Sequence, residues 1–167
     1  LTGCAIGTVE HPLSRMGCLP GEHVYTTGPL GRGNAFALAR HLGWSGALYR
    51  PTARIGEGRT LVGKATACMD TSDGVLATLD QLMRLNGCGF ELDEPLCLDD
   101  AARAVGERAG APWLLLAGEH GEFELLFTLP AGREGELDGW TPVHLGRVIA
   151  EQEIRLVQHG ARERQPL

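Results

Sequence analysis

Residues 67–85 of this chain read ACMDTSDGVLATLDQLMRL, and they decide the predicted fold. The stretch opens with a short apolar run, which is typical of a buried strand, and then meets a polar group at 70–74. Beyond that group the apolar residues recur at spacings of three and four, which indicates an amphipathic helix over 75–85. Asn86 and Gly87 tolerate a left-handed backbone, so we expect them to end the helix.

Two interpretations fit the polar residues between this strand and this helix. In the first, Ser72 or Thr71 caps the helix by accepting a hydrogen bond from an early backbone N–H, and Asp73 complements the helix dipole. In the second, the free amides and the carboxylates of Asp70 and Asp73 hold a phosphate together with its Mg²⁺, an ion that prefers hard oxygen ligands. Residue types alone favour simple capping.

Composition limits the class of protein. The chain has 167 residues, of which 43% are hydrophobic and 22% charged, and this predicts one globular domain over residues 1–167. Its net charge of −6 argues against general nucleic-acid binding, which needs a basic face. No apolar run reaches about 18 residues, so no membrane span is predicted. The five cysteines show no C-x-x-C spacing, and we expect free thiols in a reducing cytoplasm, with Cys68 and Cys88 in the core.

Strands and helices alternate along the chain, which predicts an α+β (α/β layered) domain with helices covering a mixed sheet. Residues 130–138 are expected to form a turn or short helix, and the polar residues 160–167 to be frayed. The last two predicted strands are expected to close the sheet as a pair. The predicted strands are 2–9, 23–27, 67–70, 87–92, 123–129, 143–149 and 154–157, and the predicted helices are 35–42, 53–62, 75–85 and 101–109.

A glycine-rich loop at 28–34 joins a predicted strand to a predicted helix. Such a loop can cradle a phosphate in principle. However, the spacing of Gly28, Gly31 and Gly33 matches neither G-x-G-x-x-G nor the P-loop pattern. A tight strand-to-helix turn is therefore the favoured interpretation.

Four stretches in order along the chain carry a further pattern. They are PGEHVYTTGPLG at 20–31, YRPTARIG at 49–56, MDTSDGVL at 69–76 and GEFELLFT at 121–128. Together they resemble the C-terminal domain of the AIR synthase (PurM-like) superfamily, and most closely its thiamine-monophosphate kinase branch. The resemblance implies a PurM C-terminal-domain-like mixed sheet, and it reverses the preference for simple capping at 70–74.

The resemblance also implies a function. Kinases of this branch transfer the γ-phosphoryl group of ATP to thiamine monophosphate with Mg²⁺, and this chain would be the substrate and phosphate side of such an enzyme. Asp73 and then Asp70 are the expected catalytic residues and Mg²⁺ ligands, with Ser72, Thr71 and Gly74 on the phosphate. Phosphoryl transfer depends mainly on positioning and charge neutralisation, which suits this residue set.

The acidic loop departs from the family pattern. The family's G-E-D-Y falls on residues 120–123, so that its aspartate corresponds to Glu122 and its glycine to His120. A longer acid changes the geometry around a Mg²⁺ ion, and a protonated histidine can bind phosphate. Both residues are predicted on the phosphate side. The aromatic tail that helps to hold the family's substrate is not evident at 158–167, which leaves the small-molecule phosphate substrate open.

The family's N-terminal domain, which carries most ATP and Mg²⁺ ligands and forms the dimer, has no counterpart in this sequence. The resemblance therefore implies a missing domain of a longer protein or a separate partner chain, and leaves room for a homodimer. Two alternatives stay open. One is another chemistry of the superfamily, such as aminoimidazole ribotide synthesis, selenophosphate synthesis or hydrogenase maturation. The other is a non-catalytic binding module of the same fold.

Overall fold

The structure is a computed structural model that describes residues 4, 6–45, 49–158 and 164–166. It confirms the predicted α+β class, because helices cover a mixed sheet. The helices are α1 (Arg32–His41), α2 (Ile55–Leu61), α3 (Val75–Asn86), α4 (Asp100–Arg108) and α5 (Leu114–Ala117), with a 3₁₀ turn at Glu134–Glu136. The strands are β1 (His23–Thr26), β2 (Ala67–Asp70), β3 (Gly89–Glu94), β4 (Leu125–Leu129), β5 (Val143–Ile149), β6 (Ile154–Gln158) and β7 (Arg164–Pro166).

The strands form one sheet in the order β2-β4-β1-β5-β3-β6-β7. Neighbours are antiparallel except for β3 and β6, which run parallel. The prediction that β5 and β6 pair with each other is wrong, since β3 lies between them. The connection from β5 to β6 crosses the start of β3 at Gly89, where a Cβ atom would lie 2.0 Å from the carbonyl oxygen of Glu151. The missing side chain therefore lets the chain pass over β3.

Each face of the sheet packs into its own hydrophobic cluster. Residues alternate between the faces because successive strand side chains point in opposite directions. The larger cluster joins the sheet to α1, α3, α4 and α5, and it includes Val24, Met69, Phe90, Leu126, Val75, Leu79, Ala102 and Leu115. The smaller cluster lies with α2 on the other face and includes Tyr25, Cys68, Phe127, Leu61 and Leu137.

Helix α3 confirms the predicted amphipathic helix but not its predicted cap. Val75, Leu79 and Leu82 are buried on one face. The N-cap residue is Gly74, and no side chain caps the helix, so capping by Thr71 or Ser72 is wrong. Gly87 ends the helix in the left-handed conformation, as expected.

Two predictions at the chain ends need correction. The strand expected at 2–9 falls partly outside the described residues, and the described ones, Cys4 and 6–9, form no strand. Of the tail expected to be frayed, residues 160–163 and 167 lie outside the described residues. Arg164–Pro166 instead pairs with β6, because backbone hydrogen bonding does not require apolar side chains.

The cysteines are free thiols, and Cys68 and Cys88 are buried as expected. The sulfur atoms of Cys18 and Cys88 lie 3.4 Å apart in the core. None of the helices in the described part of the chain combines the length and apolar composition that a membrane crossing requires.

Gly146 is expected to be a stability-determining glycine of the sheet. Its φ angle is 154°, and a Cβ atom there would lie 2.0 Å from the carbonyl oxygen of Glu91 on β3. We expect Gly146→Ala to lower the free energy of unfolding by about 3 kcal/mol, because the backbone of two paired strands must move. Gly139 is the matched control, since its φ is 86° but nothing lies within 4 Å of its Cβ position.

Urea unfolding of both variants measures this difference. Gly139→Ala should cost about 1 kcal/mol, which is the strain of a left-handed alanine alone. Equal losses for the two variants would show that the sheet accommodates a side chain at Gly146.

Candidate functional site at the ends of β2 and β4

The turn at 70–74 and the loop at 118–124 meet at one edge of the domain. Asp70, the last residue of β2, pairs with Leu125, the first residue of β4. Thr71 then continues the pairing, because its backbone N–H donates to the carbonyl oxygen of Glu124 at 2.9 Å. The Thr71 hydroxyl donates to the same carbonyl and accepts from the Glu124 N–H, both at 3.0 Å. The backbone N–H of Glu122 donates to the Thr71 carbonyl oxygen at 3.1 Å.

Glycines allow the two segments to come this close. A Cβ atom on Gly74 would lie 2.2 Å from the carbonyl oxygen of Gly118. A Cβ atom on Gly121 would lie 2.4 Å from the carbonyl oxygen of Ser72. Both approaches are to backbone atoms, so a larger residue at either position would push the segments apart.

The structure therefore brings together the residues predicted from the two motifs, but exposes them differently. Asp70 and Asp73 are exposed, and Ser72 is half-buried. Thr71 is fully buried and Gly74 is buried against the loop. Thr71 thus holds the turn in place, while the two aspartates face solvent. Direct contact of Ser72, Thr71 or Gly74 with a phosphate stays a prediction.

Asp70 and Asp73 would supply only part of the ligands of a Mg²⁺ ion. Within the described ranges, no three His, Cys, Asp or Glu side chains come close enough to hold a metal ion. Mg²⁺ usually keeps several waters and takes one or two carboxylates together with substrate phosphates. The two exposed aspartates would need further ligands from elsewhere, and their role as Mg²⁺ ligands stays a prediction.

Glu122 is buried at the N-terminus of α1. It is 2% exposed, and its carboxylate accepts hydrogen bonds from the backbone N–H groups of Gly33 at 3.2 Å and Asn34 at 3.3 Å. The Asn34 side-chain amide donates to it at 3.1 Å. The Glu122 carboxylate thus occupies the positive end of the helix and takes up backbone amides that would otherwise be free to bind an anionic ligand. The loop at 28–34 thus agrees with the tight-turn interpretation.

This environment changes the acidity of Glu122. Burial raises the pKa of its carboxyl group, although the amides of Gly33 and Asn34 act in the opposite direction. A role of Glu122 in phosphate or metal binding stays a prediction, and the contacts observed give it a structural role.

Asn34 links α1 to the acidic loop and was not identified from the sequence. Its side-chain amide donates to the carbonyl oxygen of Leu115 at 2.8 Å, and its Oδ1 accepts from the backbone N–H of His120 at 3.2 Å. The His120 side chain is left exposed, so its predicted contact with a phosphate remains sterically open and remains a prediction.

An ion pair between a partly buried arginine and a buried glutamate fixes the other side of the loop. Arg54 binds Glu124 through two parallel hydrogen bonds, Nε to Oε2 and Nη2 to Oε1, each of 2.7 Å. The Thr27 hydroxyl donates to Oε2 of Glu124 at 2.6 Å. Sequence reasoning missed this group, although Arg54 and Glu124 both lie within the motifs at 49–56 and 121–128 and have opposite charges.

Two aromatic residues complete the edge. The Tyr49 hydroxyl donates to the carbonyl oxygen of Glu122, and burial together with the Glu122 and Glu124 carboxylates raises the pKa of Tyr49 to about 12. Phe123 has a φ angle of 55°, which is unusual for a residue with a side chain, and its ring is 47% exposed. It lies between two buried carboxylates and points outward.

The Arg54–Glu124 pair is expected to contribute strongly to stability because removing one partner leaves a buried charge. We expect Arg54→Met to lower the free energy of unfolding by about 3 kcal/mol. The double variant Arg54→Met/Glu124→Gln should recover part of that loss, since no unpaired carboxylate remains. Arg84→Met, which breaks the exposed pair with Asp80, is the control and should cost less than about 0.5 kcal/mol. Chemical denaturation measures all three, and a double variant no more stable than Arg54→Met would contradict this account.

Glu122 is expected to make stability depend on pH. Because its folded-state pKa is raised, the folded protein holds this proton more tightly than the unfolded chain does. The free energy of unfolding should therefore fall as pH rises from the usual glutamate range through the raised pKa. Glu122→Gln carries no such proton, so the wild-type value minus the variant value should decrease with increasing pH. Urea unfolding at a series of pH values measures that difference, and one that increases with pH would contradict the assignment.

No model of a known protein family matches this chain. Its sequence is similar to curated thiamine-monophosphate kinases. The protein of Halobacterium salinarum is 34% identical over 159 residues, a match that covers 91% of this chain and 54% of that protein. The protein of Salmonella typhimurium is 33% identical over 146 residues, covering 75% of this chain and 42% of that protein. The chain thus spans about half the length of the curated relatives it matches.

Solved structures agree with this similarity. Thiamine monophosphate kinase of Aquifex aeolicus matches with a TM-score of 0.73 and 26% identity, over 94% of this chain and 56% of that one. A structure of AaThiL complexed with AMPPCP and TMP matches with a TM-score of 0.71 and 24% identity, over 90% and 52% of the two chains. The Escherichia coli hydrogenase maturation protein HypE matches with a TM-score of 0.76 and 23% identity, over 93% and 52%, and shares the fold. The chain therefore belongs to the AIR synthase (PurM-like) superfamily and is related to the thiamine-monophosphate kinases over about half of their length.

Proposed function

We propose that this chain is the C-terminal, substrate and phosphate side of an ATP- and Mg²⁺-dependent phosphotransferase that acts on thiamine monophosphate or a close analogue. The observation that supports this most directly is the similarity to curated thiamine-monophosphate kinases over 91% of the chain. The exposed aspartates of the turn at 70–74 agree with it, because they lie at one edge with the acidic loop packed behind them.

The residues of this edge have separate roles in the proposal. Asp73 and Asp70 would hold Mg²⁺, which when bound neutralises phosphate charge during transfer. Ser72 and the Gly74 backbone would position the phosphate, and His120 would approach it from the loop. Thr71 would hold the turn in place, because it is fully buried and hydrogen bonded to Glu124.

The buried carboxylates would act as positioning residues. Glu122 ties the acidic loop to α1, and Glu124 ties it to Arg54. Phosphoryl transfer depends on fixed geometry, since a small displacement of the reacting groups lowers the rate strongly. These contacts would keep Asp70 and Asp73 at a constant position relative to the substrate.

The rest of the nucleotide site would come from protein outside this chain. The chain spans about half of its curated relatives, and its two candidate metal ligands leave most of a Mg²⁺ coordination sphere to other groups. A domain of the same protein or a separate chain would supply them. We keep a cytoplasmic location as part of this proposal.

A fusion protein tests the proposed function. In it, this chain replaces the matching region of the Salmonella typhimurium thiamine-monophosphate kinase. We expect formation of thiamine diphosphate that requires both ATP and Mg²⁺. Asp73→Asn should lower kcat by about 100-fold or more, because charge neutralisation at the phosphate is lost. A coupled assay for ADP, with product identified by chromatography, measures both quantities.

Asp80→Asn is the matched control for that variant. Asp80 lies on α3, seven residues after Asp73, and pairs with Arg84 at 2.9 Å. It should leave kcat within about twofold of the parent. A folded fusion protein without activity, or an Asp73→Asn variant as active as Asp80→Asn, would reject the proposal.

A further inference from the structure

A second cleft lies on the sheet face opposite α1 and α3. It has a volume of about 550 Å³ and is formed by β1, β5 and the segment 134–142. Its size is typical of small-molecule sites, and it shares no residue with the turn at 70–74. The residues that matter to its chemistry are His23, Tyr25, Glu134, Trp140 and His144.

Aromatic rings form the walls of this cleft, and packing holds them in place. The Tyr25 ring stacks on Phe127 with centroids 5.8 Å apart and meets the edge of His144 at 5.2 Å. Trp140 packs on Phe127 with centroids 5.9 Å apart, and its indole N–H donates to the Thr60 hydroxyl at 2.9 Å. The rings are therefore ordered before any ligand arrives, which favours binding.

Two imidazoles continue the aromatic wall. The rings of His23 and His144 meet edge to face with centroids 5.0 Å apart. Burial, with the neighbouring His23, lowers the pKa of His144 even though Asp93 lies 3.2 Å from its Nδ1 and acts in the opposite direction. His144 therefore carries less positive charge at a given pH than an ordinary histidine would.

The formal charges around the cleft are negative. Glu134 lines it, and burial together with this carboxylate raises the pKa of Tyr25 to about 12. The lining side chains in the described part of the chain include no lysine or arginine. Of the nearby cations, Arg133 is paired with Glu136 at 2.6 Å and Arg147 with Glu91 at 2.6 Å. The Lys64 ammonium group donates to the carbonyl oxygen of Glu136, outside the lining of the cleft.

We propose that this cleft binds a small organic cation of the quaternary ammonium class. Such an ion is attracted to the face of an aromatic ring, and an acidic group close by increases the attraction. Trp140 would supply this face, since it is partly exposed whereas Tyr25 is 3% exposed and stacks on Phe127. An anion would meet the Glu134 carboxylate with no lysine or arginine among the described lining residues to offset it. An uncharged ligand of equal shape would gain only the contact with the rings.

Paired probes test this proposal on the chain as it is. Choline carries the quaternary ammonium group, and 3,3-dimethylbutan-1-ol has the same shape without the charge. Titration of isotope-labelled protein is followed by NMR at the indole N–H signals of Trp44, Trp113 and Trp140, assigned by substitution of each with phenylalanine. We expect choline to shift the Trp140 signal to saturation and to bind about 2- to 30-fold more tightly than the alcohol.

Two glutamine variants complete the experiment. Glu134→Gln removes the carboxylate that lines the cleft and should weaken choline binding by about two- to fivefold, the effect of one screened surface charge. Glu107→Gln removes an exposed carboxylate on α4, which packs on the other face of the sheet, and it should leave binding unchanged. Both residues are exposed, so neither variant is expected to impair folding.

Three results would overturn the proposal. They are equal affinity for choline and the uncharged alcohol, shifts confined to the signals of Trp44 or Trp113, and equal effects of the two glutamine variants. None of these results depends on kinase activity, so the cleft and the proposed function can fail separately.

Discussion

The hydrogen bonds between Thr71 and Glu124 are the constraint on which the candidate site depends. They join the end of β2 to the start of β4 through three contacts, two of which use the hydroxyl of a fully buried threonine. Buried polar groups in such a network are costly to leave unpaired, so the network specifies one arrangement. The position of the turn after β2, which carries the exposed aspartates, therefore depends on the position of the acidic loop before β4.

The acidic loop is held in turn by charges that face inward. Glu122 and Glu124 leave the loop in different directions, one toward the first amides of α1 and one toward Arg54. Each carboxylate has several donors, which offset part of the cost of its burial; for Glu122 the burial still outweighs them and raises the pKa. The candidate site is thus built in two layers. An inner layer of paired carboxylates fixes the backbone, and an outer layer of exposed side chains remains available for a ligand.

Much of this fold could be predicted from local patterns. The helix at 75–85 and its glycine end follow from apolar spacing, and the strand ending in Leu129 follows from a run of apolar and β-branched residues. The order of the strands could not be predicted, because it depends on whether the segment between β5 and β6 can pass over β3 at Gly89. That close approach depends on tertiary packing, which local sequence patterns do not show. The capping interpretation of the turn at 70–74 is wrong, since the Thr71 hydroxyl is hydrogen bonded to the backbone of Glu124 instead. Arg54 was missed because its partner lies 70 residues away.

Phe123 gives the exposed edge a property that charge alone would not. Its backbone is held in a left-handed conformation between two anchored neighbours, and the residue is about half exposed. A side chain on a flexible loop loses conformational entropy when another surface covers it, and that loss weakens association. Here much of the backbone ordering has already taken place during folding. A protein surface that covers this edge would therefore meet an apolar contact that is oriented in advance.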